Sequence, residues 1–181
     1  MRAKEIFEKL NRVNDGTRTL FESIAVPEVV EALRDWIQNA RLGVLIGGNA
    51  MSYYGKPRAT MDVDVLFLNS NDIPKEVSGF KRIRNGAFQH DKTHVEIEVI
   101  TPVTVNISPD LVSVVNQTAI QVDGFKVASP SGIVALKLQR LKNNDIGDIV
   151  QMINTGQVDL SPFPLSEKNI QDFNEIQEKY V

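Results

Sequence analysis

The chain has 181 residues, 42% hydrophobic and 24% charged, with a formal net charge of −3 and no cysteine. These values suit a soluble globular protein of one domain and exclude a disulfide scaffold or a thiolate site. The slight acidity argues against broad non-specific nucleic-acid binding and leaves room for a local basic groove.

No apolar run approaches the roughly 20 residues that span a bilayer. The opening MRAKEIFEKL mixes both charge signs without an apolar core, so we expect no signal peptide, no membrane partner and a cytoplasmic protein. In chain order, Ile6, Phe7, Leu10 and Val13 mark a helix over 3–13, stopped by Asn14-Asp15-Gly16. A second helix opens at Pro27, with Glu28 and Glu31 near its positive end and Val30, Leu33, Trp36, Ile37 and Ala40 on its buried face. Val44-Leu45-Ile46 reads as a buried strand that breaks at Gly47-Gly48. A short helix over 49–54 closes at Gly55, and 56–60 is a loop. Residues 61–68, MDVDVLFL, form a second strand, alternating first and then wholly apolar. Strand pieces at 79–84 and 87–89 flank the hairpin signal Asn85-Gly86.

Residues 94–101, HVEIEVIT, alternate: Val95, Ile97 and Val99 on one face, His94, Glu96 and Glu98 on the other. A helix is expected over 109–116. Ile120–Val122 and Phe125–Ala128 flank Asp123-Gly124, a second hairpin. Ser129-Pro130 caps a helix running to about Leu141, with Val134, Leu138 and Leu141 inward. Asn143-Asn144 restarts a helix carrying Ile146, Ile149, Val150 and Ile153, and Ser161-Pro162-Phe163-Pro164 precedes a last helix over 166–179. The sum is α+β: a mixed sheet of about five strands with helices packed on it. N-terminal helices occupy 1–42, the sheet region 43–128 and C-terminal helices 129–181.

The chemistry concentrates in residues 44–68. Two glycines after a strand let main chain approach a bulky anion, and the helix start behind them offers N–H groups and a positive dipole end. Together they make a phosphate seat. Asp62 and Asp64, two apart on a strand, point to one face and can share a divalent cation, since Mg²⁺ takes one or two carboxylates plus phosphate oxygens. Two such ions clamp the attacking and leaving oxygens of an in-line displacement. Glu98 is the candidate third carboxylate, with Glu96 on the same face. His94 beside them is an exposed polar residue, an acceptor contact or a transition-metal ligand. Lys81, Arg82 and Arg84 form either a solvated hairpin or a guide for an anionic acceptor such as RNA.

Residues 47–64, GGNAMSYYGKPRATMDVD, resemble the signature of the polymerase-beta-like nucleotidyltransferase superfamily: a glycine pair, a short helix, then D-x-D on the next strand. The fuller pattern, Gly47-Gly48-Asn49-Ala50 followed by Gly55, Arg58, Thr60, Asp62 and Asp64, is similar to small bacterial and phage-type members. These include the AbiEii-like abortive-infection toxins. Residues 129–150 resemble the helix-lysine-helix segment of those families, with Lys137, Asp145 and Asp148 in the matching places.

The resemblance implies the nucleotidyltransferase fold, with Asp62 and Asp64 as metal ligands and a third acid that also activates the acceptor hydroxyl. That acid is usually aspartate; here only Glu96 and Glu98 are available, and Glu98 is preferred because Val99-Ile100 follows it. Gly47, Gly48 and Asn49 would hold the triphosphate. Arg58 touches phosphate or braces Asp62. Lys137 either neutralises phosphate or snorkels its ammonium into water. Asp148 is a candidate to orient Lys137, and Asp145 reads as a helix N-terminal charge.

The expectation is a nucleotidyltransferase that uses Mg²⁺ or Mn²⁺ to move an NMP from an NTP to a hydroxyl of RNA, tRNA included, or of a protein. A cognate antitoxin is an implied partner. The alternatives are a catalytically inactive regulatory member of the same fold and a small-molecule nucleotidyltransferase.

Overall fold

Apolar runs bounded by glycine and asparagine turns become strands, and the capped amphipathic stretches become helices. A computed structural model of the protein describes residues 19–40, 43–55 and 60–181. The helix expected over 3–13 with its Asn14-Asp15-Gly16 stop, and Arg58, lie outside the described residues.

The strands are β1 (Val44–Ile46), β2 (Val63–Leu66), β3 (Phe80–Arg84), β4 (Ala87–His90), β5 (Glu96–Ile100), β6 (Ile120–Val122) and β7 (Phe125–Val127). They form one mixed sheet in the order β3-β4-β5-β2-β1-β7-β6. The expectation of about five strands is corrected to seven among the described residues. The reason is that both hairpins join the same sheet: β4 pairs antiparallel with β5, and β7 pairs parallel with β1. In the middle, β2 runs antiparallel to β1 and parallel to β5.

The helices are α1 (Leu20–Ser23), α2 (Pro27–Asn39), α3 (Gly47–Tyr53), α4 (Pro102–Val105), α5 (Pro109–Thr118), α6 (Pro130–Leu138), α7 (Asn143–Ile153) and α8 (Glu167–Tyr180). In α2 the fully buried residues are Val29, Ala32, Leu33 and Trp36; Val30, Ile37 and Ala40 of the expected face are only partly covered. Trp36 accounts for this rotation. It packs edge-on against Phe80 and Phe88, ring centroids 5.3 and 5.4 Å away, and anchors α2 over β3 and β4. Val63, Val65, Ile97 and Val99 are buried in the same core.

Several boundaries differ from expectation: β2 ends at Leu66, before residue 68, and α3 begins at Gly47, before residue 49, so the glycine pair opens the helix. Met61 and Asp62 precede β2 instead of belonging to it. His94 adopts a left-handed conformation with φ 59°, so the alternation of β5 begins after it and His94 does not share the face of Glu96 and Glu98 by strand geometry. Helix α6, capped by Ser129 Oγ accepting from the Gly132 N–H at 3.1 Å, ends at Leu138 because the chain turns back through Leu141 at φ 35°. Helix α4, unexpected from the sequence, is opened by a reciprocal Thr101–Thr104 cap. Among the described residues, no helix is long and apolar enough to cross a membrane.

Candidate active site

The register of the central strands assembles the site. Ile46 lies opposite Asp64, and Asp64 lies opposite Glu98. Directly paired residues project from the same face, so the two carboxylates emerge side by side on neighbouring parallel strands. Gly47 follows Ile46 at φ 68°. A Cβ at that position would collide with Asp64 Oδ2, so only a glycine lets the turn close over this carboxylate.

Burial raises the Asp64 carboxyl to about 6, and the charges of Glu98 and Asp62 push the same way; Arg140 and Lys137 oppose them. Asp62 is exposed at the entry to β2. Its carbonyl accepts from Asn49 Nδ2 at 2.8 Å, and Asn49 is buried. The Asn49 amide thus ties α3 to the strand entry. Gly48 is part-buried, and its carbonyl accepts from Ser52 Oγ at 3.1 Å.

A cavity of about 370 Å³ opens here. Its lining includes Gly47, Asp64, Glu98, Lys137 and Arg140 together with the aliphatic Leu66, Ile100, Ile107, Ile133 and Leu136. Its size and its mixture of apolar wall and few polar groups are those of a small-molecule site. Gly48, Asn49 and Asp62 are not among its lining residues.

Lys137 does not snorkel its ammonium into water. It is buried, and its Nζ donates to Asp148 Oδ2 at 2.6 Å and Asp145 Oδ1 at 3.1 Å. Asp148 therefore orients Lys137. Asp145 also accepts from Arg140 Nε and Nη2 at 3.0 and 2.9 Å and from the Lys142 N–H at 2.9 Å. Burial raises the Asp145 carboxyl, but the bonds from Arg140, Lys142 and Lys137 outweigh it and hold the group below its ordinary value. The expected helix-start charge is present in α7, and it does the further work of binding two cations.

Two residues of this site were not singled out as such from the sequence. Arg140 lines the cavity; its signal was only a cation near the end of the expected helix. Arg84, read as part of a basic hairpin, forms ion pairs with Glu96 and, at 3.6 Å, with Glu98. Among the described residues no three His, Asp or Glu side chains are grouped to hold one ion. Asp64 and Glu98 nevertheless offer only carboxylate oxygens, and burial, with the Glu98 charge added to it, hinders ionisation of Asp64. With the bare Gly47 turn against Asp64, this donor set suits a hard divalent cation.

No protein-family model matches the chain, and no curated protein matches it.

Proposed function

We propose that the chain is a nucleotidyltransferase of the polymerase-beta-like kind, which uses Mg²⁺ or Mn²⁺ to transfer an NMP from an NTP to a hydroxyl. One observation carries the reading: Asp64 lies against the Gly47 turn with Glu98 beside it, in a cavity that Lys137 and Arg140 also line. Asp64 and Glu98, with the nearby charge of Asp62, would hold the divalent cation, which supplies charge neutralisation on the phosphates when bound.

The main chain at Gly47-Gly48 would receive the triphosphate. Lys137 and Arg140, fixed by Asp145 and Asp148, would offer their N–H groups to the phosphates. Glu98 would accept the proton of the acceptor hydroxyl as its oxygen bonds to the α-phosphorus. The bond from that phosphorus to the β-phosphate oxygen breaks, and pyrophosphate leaves. An RNA end, tRNA included, or a protein hydroxyl is the acceptor class, and a cognate antitoxin is a partner of the same reading.

The test is incubation with each labelled NTP and Mg²⁺ or Mn²⁺ against total RNA and cell lysate. Transfer lost in Asp62→Ala/Asp64→Ala is the expected result; equal labelling by that variant overturns the assignment. A second reading, a nucleotide-binding member without turnover, is favoured by the Arg84–Glu98 pair. Nucleotide binding without pyrophosphate release for any acceptor would select it.

A further inference from the structure

The pairing of five strands sets one row of residues across the sheet: Ile46, Asp64, Glu98, Ala87 and Arg84. Glu98 stands in this row between a like charge and an opposite one. Ala87 is the smallest side chain in the row and is fully buried, so the Arg84 guanidinium can pass over it to reach Glu98 and Glu96.

Regular alternation would not place Arg84 there. Arg82 pairs with Phe88, lies over its ring and shares the face that packs on Trp36. Arg84, two residues on, should share that face. Instead the register shifts between Arg82 and Arg84, and Arg84 pairs with Ala87, the neighbour of Phe88 on the opposite face. A bulge of this kind re-aims a side chain. Here it aims a guanidinium at the carboxylate that lines the cavity.

We propose that Arg84 is the counter-ion of the third carboxylate: it competes with a divalent cation for Glu98 and so lowers the affinity of the Asp64–Glu98 pair for that cation. The inference rests on the metal-dependent reading above. Arg84 and Glu98 are both about half exposed, 51% and 49%. An ion pair so open to solvent is weak and exchanges readily. A doubly charged ion coordinated by Asp64 and Glu98 displaces it, and Arg84 retains Glu96 as its anchor.

The measurement is Mn²⁺ affinity, from the electron paramagnetic resonance signal of free Mn²⁺ at fixed ionic strength without nucleotide. Arg84→Gln tightens binding about three- to tenfold, because a competing positive charge is gone. Arg84→Lys, which keeps the charge, stays within about twofold of wild type. In a Glu98→Gln background, Arg84→Gln changes the affinity by less than about twofold. Unchanged or weaker binding in Arg84→Gln overturns the proposal, since Arg84 would then only prop Glu98. Absence of Mn²⁺ binding at millimolar concentration in both the wild-type chain and Arg84→Gln removes the metal reading and this proposal together. Mn²⁺ binding that is indifferent to Arg84→Gln removes this proposal alone.

Discussion

Gly47 is constrained twice, by its left-handed backbone and by the Asp64 carboxylate where a Cβ would be. Left-handed φ costs a non-glycine residue roughly 1–2 kcal/mol before any collision is counted. Gly47→Ala is therefore expected to destabilise the fold by about 2 kcal/mol or more and, on the proposed function, to abolish nucleotide transfer; a urea melt within about 0.5 kcal/mol of wild type would contradict the packing of this turn. Asp64 makes the opposite prediction. Its carboxyl lies at about 6 in the folded chain against an ordinary 3.8. A raised carboxyl contributes stability that is complete below the ordinary value and lost as pH rises through about 6. In metal-free buffer the wild-type chain should lose up to about 3 kcal/mol between pH 4 and pH 8 from this group. Asp64→Asn should flatten that decline and melt higher at pH 8 while losing the proposed transfer activity. A variant less stable than wild type at pH 8 would sink this account. Gly47 and Asp64 were legible in the sequence because glycine pair, helix and D-x-D encode a local geometry. The aim of Arg84 was not, since nothing in Phe80–Arg84 announces a bulge, and neither was the left-handed turn at His94.

At the scale of elements, the junction of α6 with α7 is held by charge. Lys137 and Asp145 are both buried and bonded to one another, with Asp148 and Arg140 completing the cluster. Removing one partner strands a buried charge, so Asp145→Ala should cost about 3–5 kcal/mol in thermal or urea unfolding. The pH sense is the reverse of that for Asp64. A carboxyl held below its ordinary value contributes stability present above that value and lost as pH falls through its folded value. The acid limb of wild-type unfolding should be steeper than that of Asp145→Asn, and identical acid limbs would count against the cluster. From the sequence, Lys137 at the border of an apolar stripe was ambiguous. Helical spacing places a stem and says nothing of what meets its ammonium. Only the turn through Leu141, which ends α6 at Leu138, brings Asp145 within reach. The apolar stripes of α2 and α7 were legible because each follows the helical repeat, whereas α6 is buried nearly all round; the rotation of α2 depended on Phe80 and Phe88, which lie far along the chain.

For the molecule as a whole, each of the seven strands carried its own local signal, and their assembly into one sheet did not. Apolar runs and turn residues mark strands, but partner choice is tertiary. Strand β1 lies between β2, its neighbour in sequence, and β7, which arrives only after β2–β6 have been made. The parallel pair Leu45–Val127 cannot form until the intervening chain is gathered, and Ala128 N–H then bonds the Leu45 carbonyl at 3.0 Å. Loop closure of this kind is paid before the contact stabilises anything, so folding should be slow for the size of the chain. The chain has one tryptophan, and Trp36 reports directly on the docking of α2 over β3 and β4. The β1–β7–β6 side lies across β5 and β2 from that probe, and its amide protection reports the other half of the sheet. We expect Trp36 fluorescence to recover in milliseconds to seconds, with amide protection of Leu45 and Val127 appearing in the same phase. Microsecond recovery of fluorescence followed by much later protection would mean that the two halves fold separately, and that the sheet is not one cooperative unit.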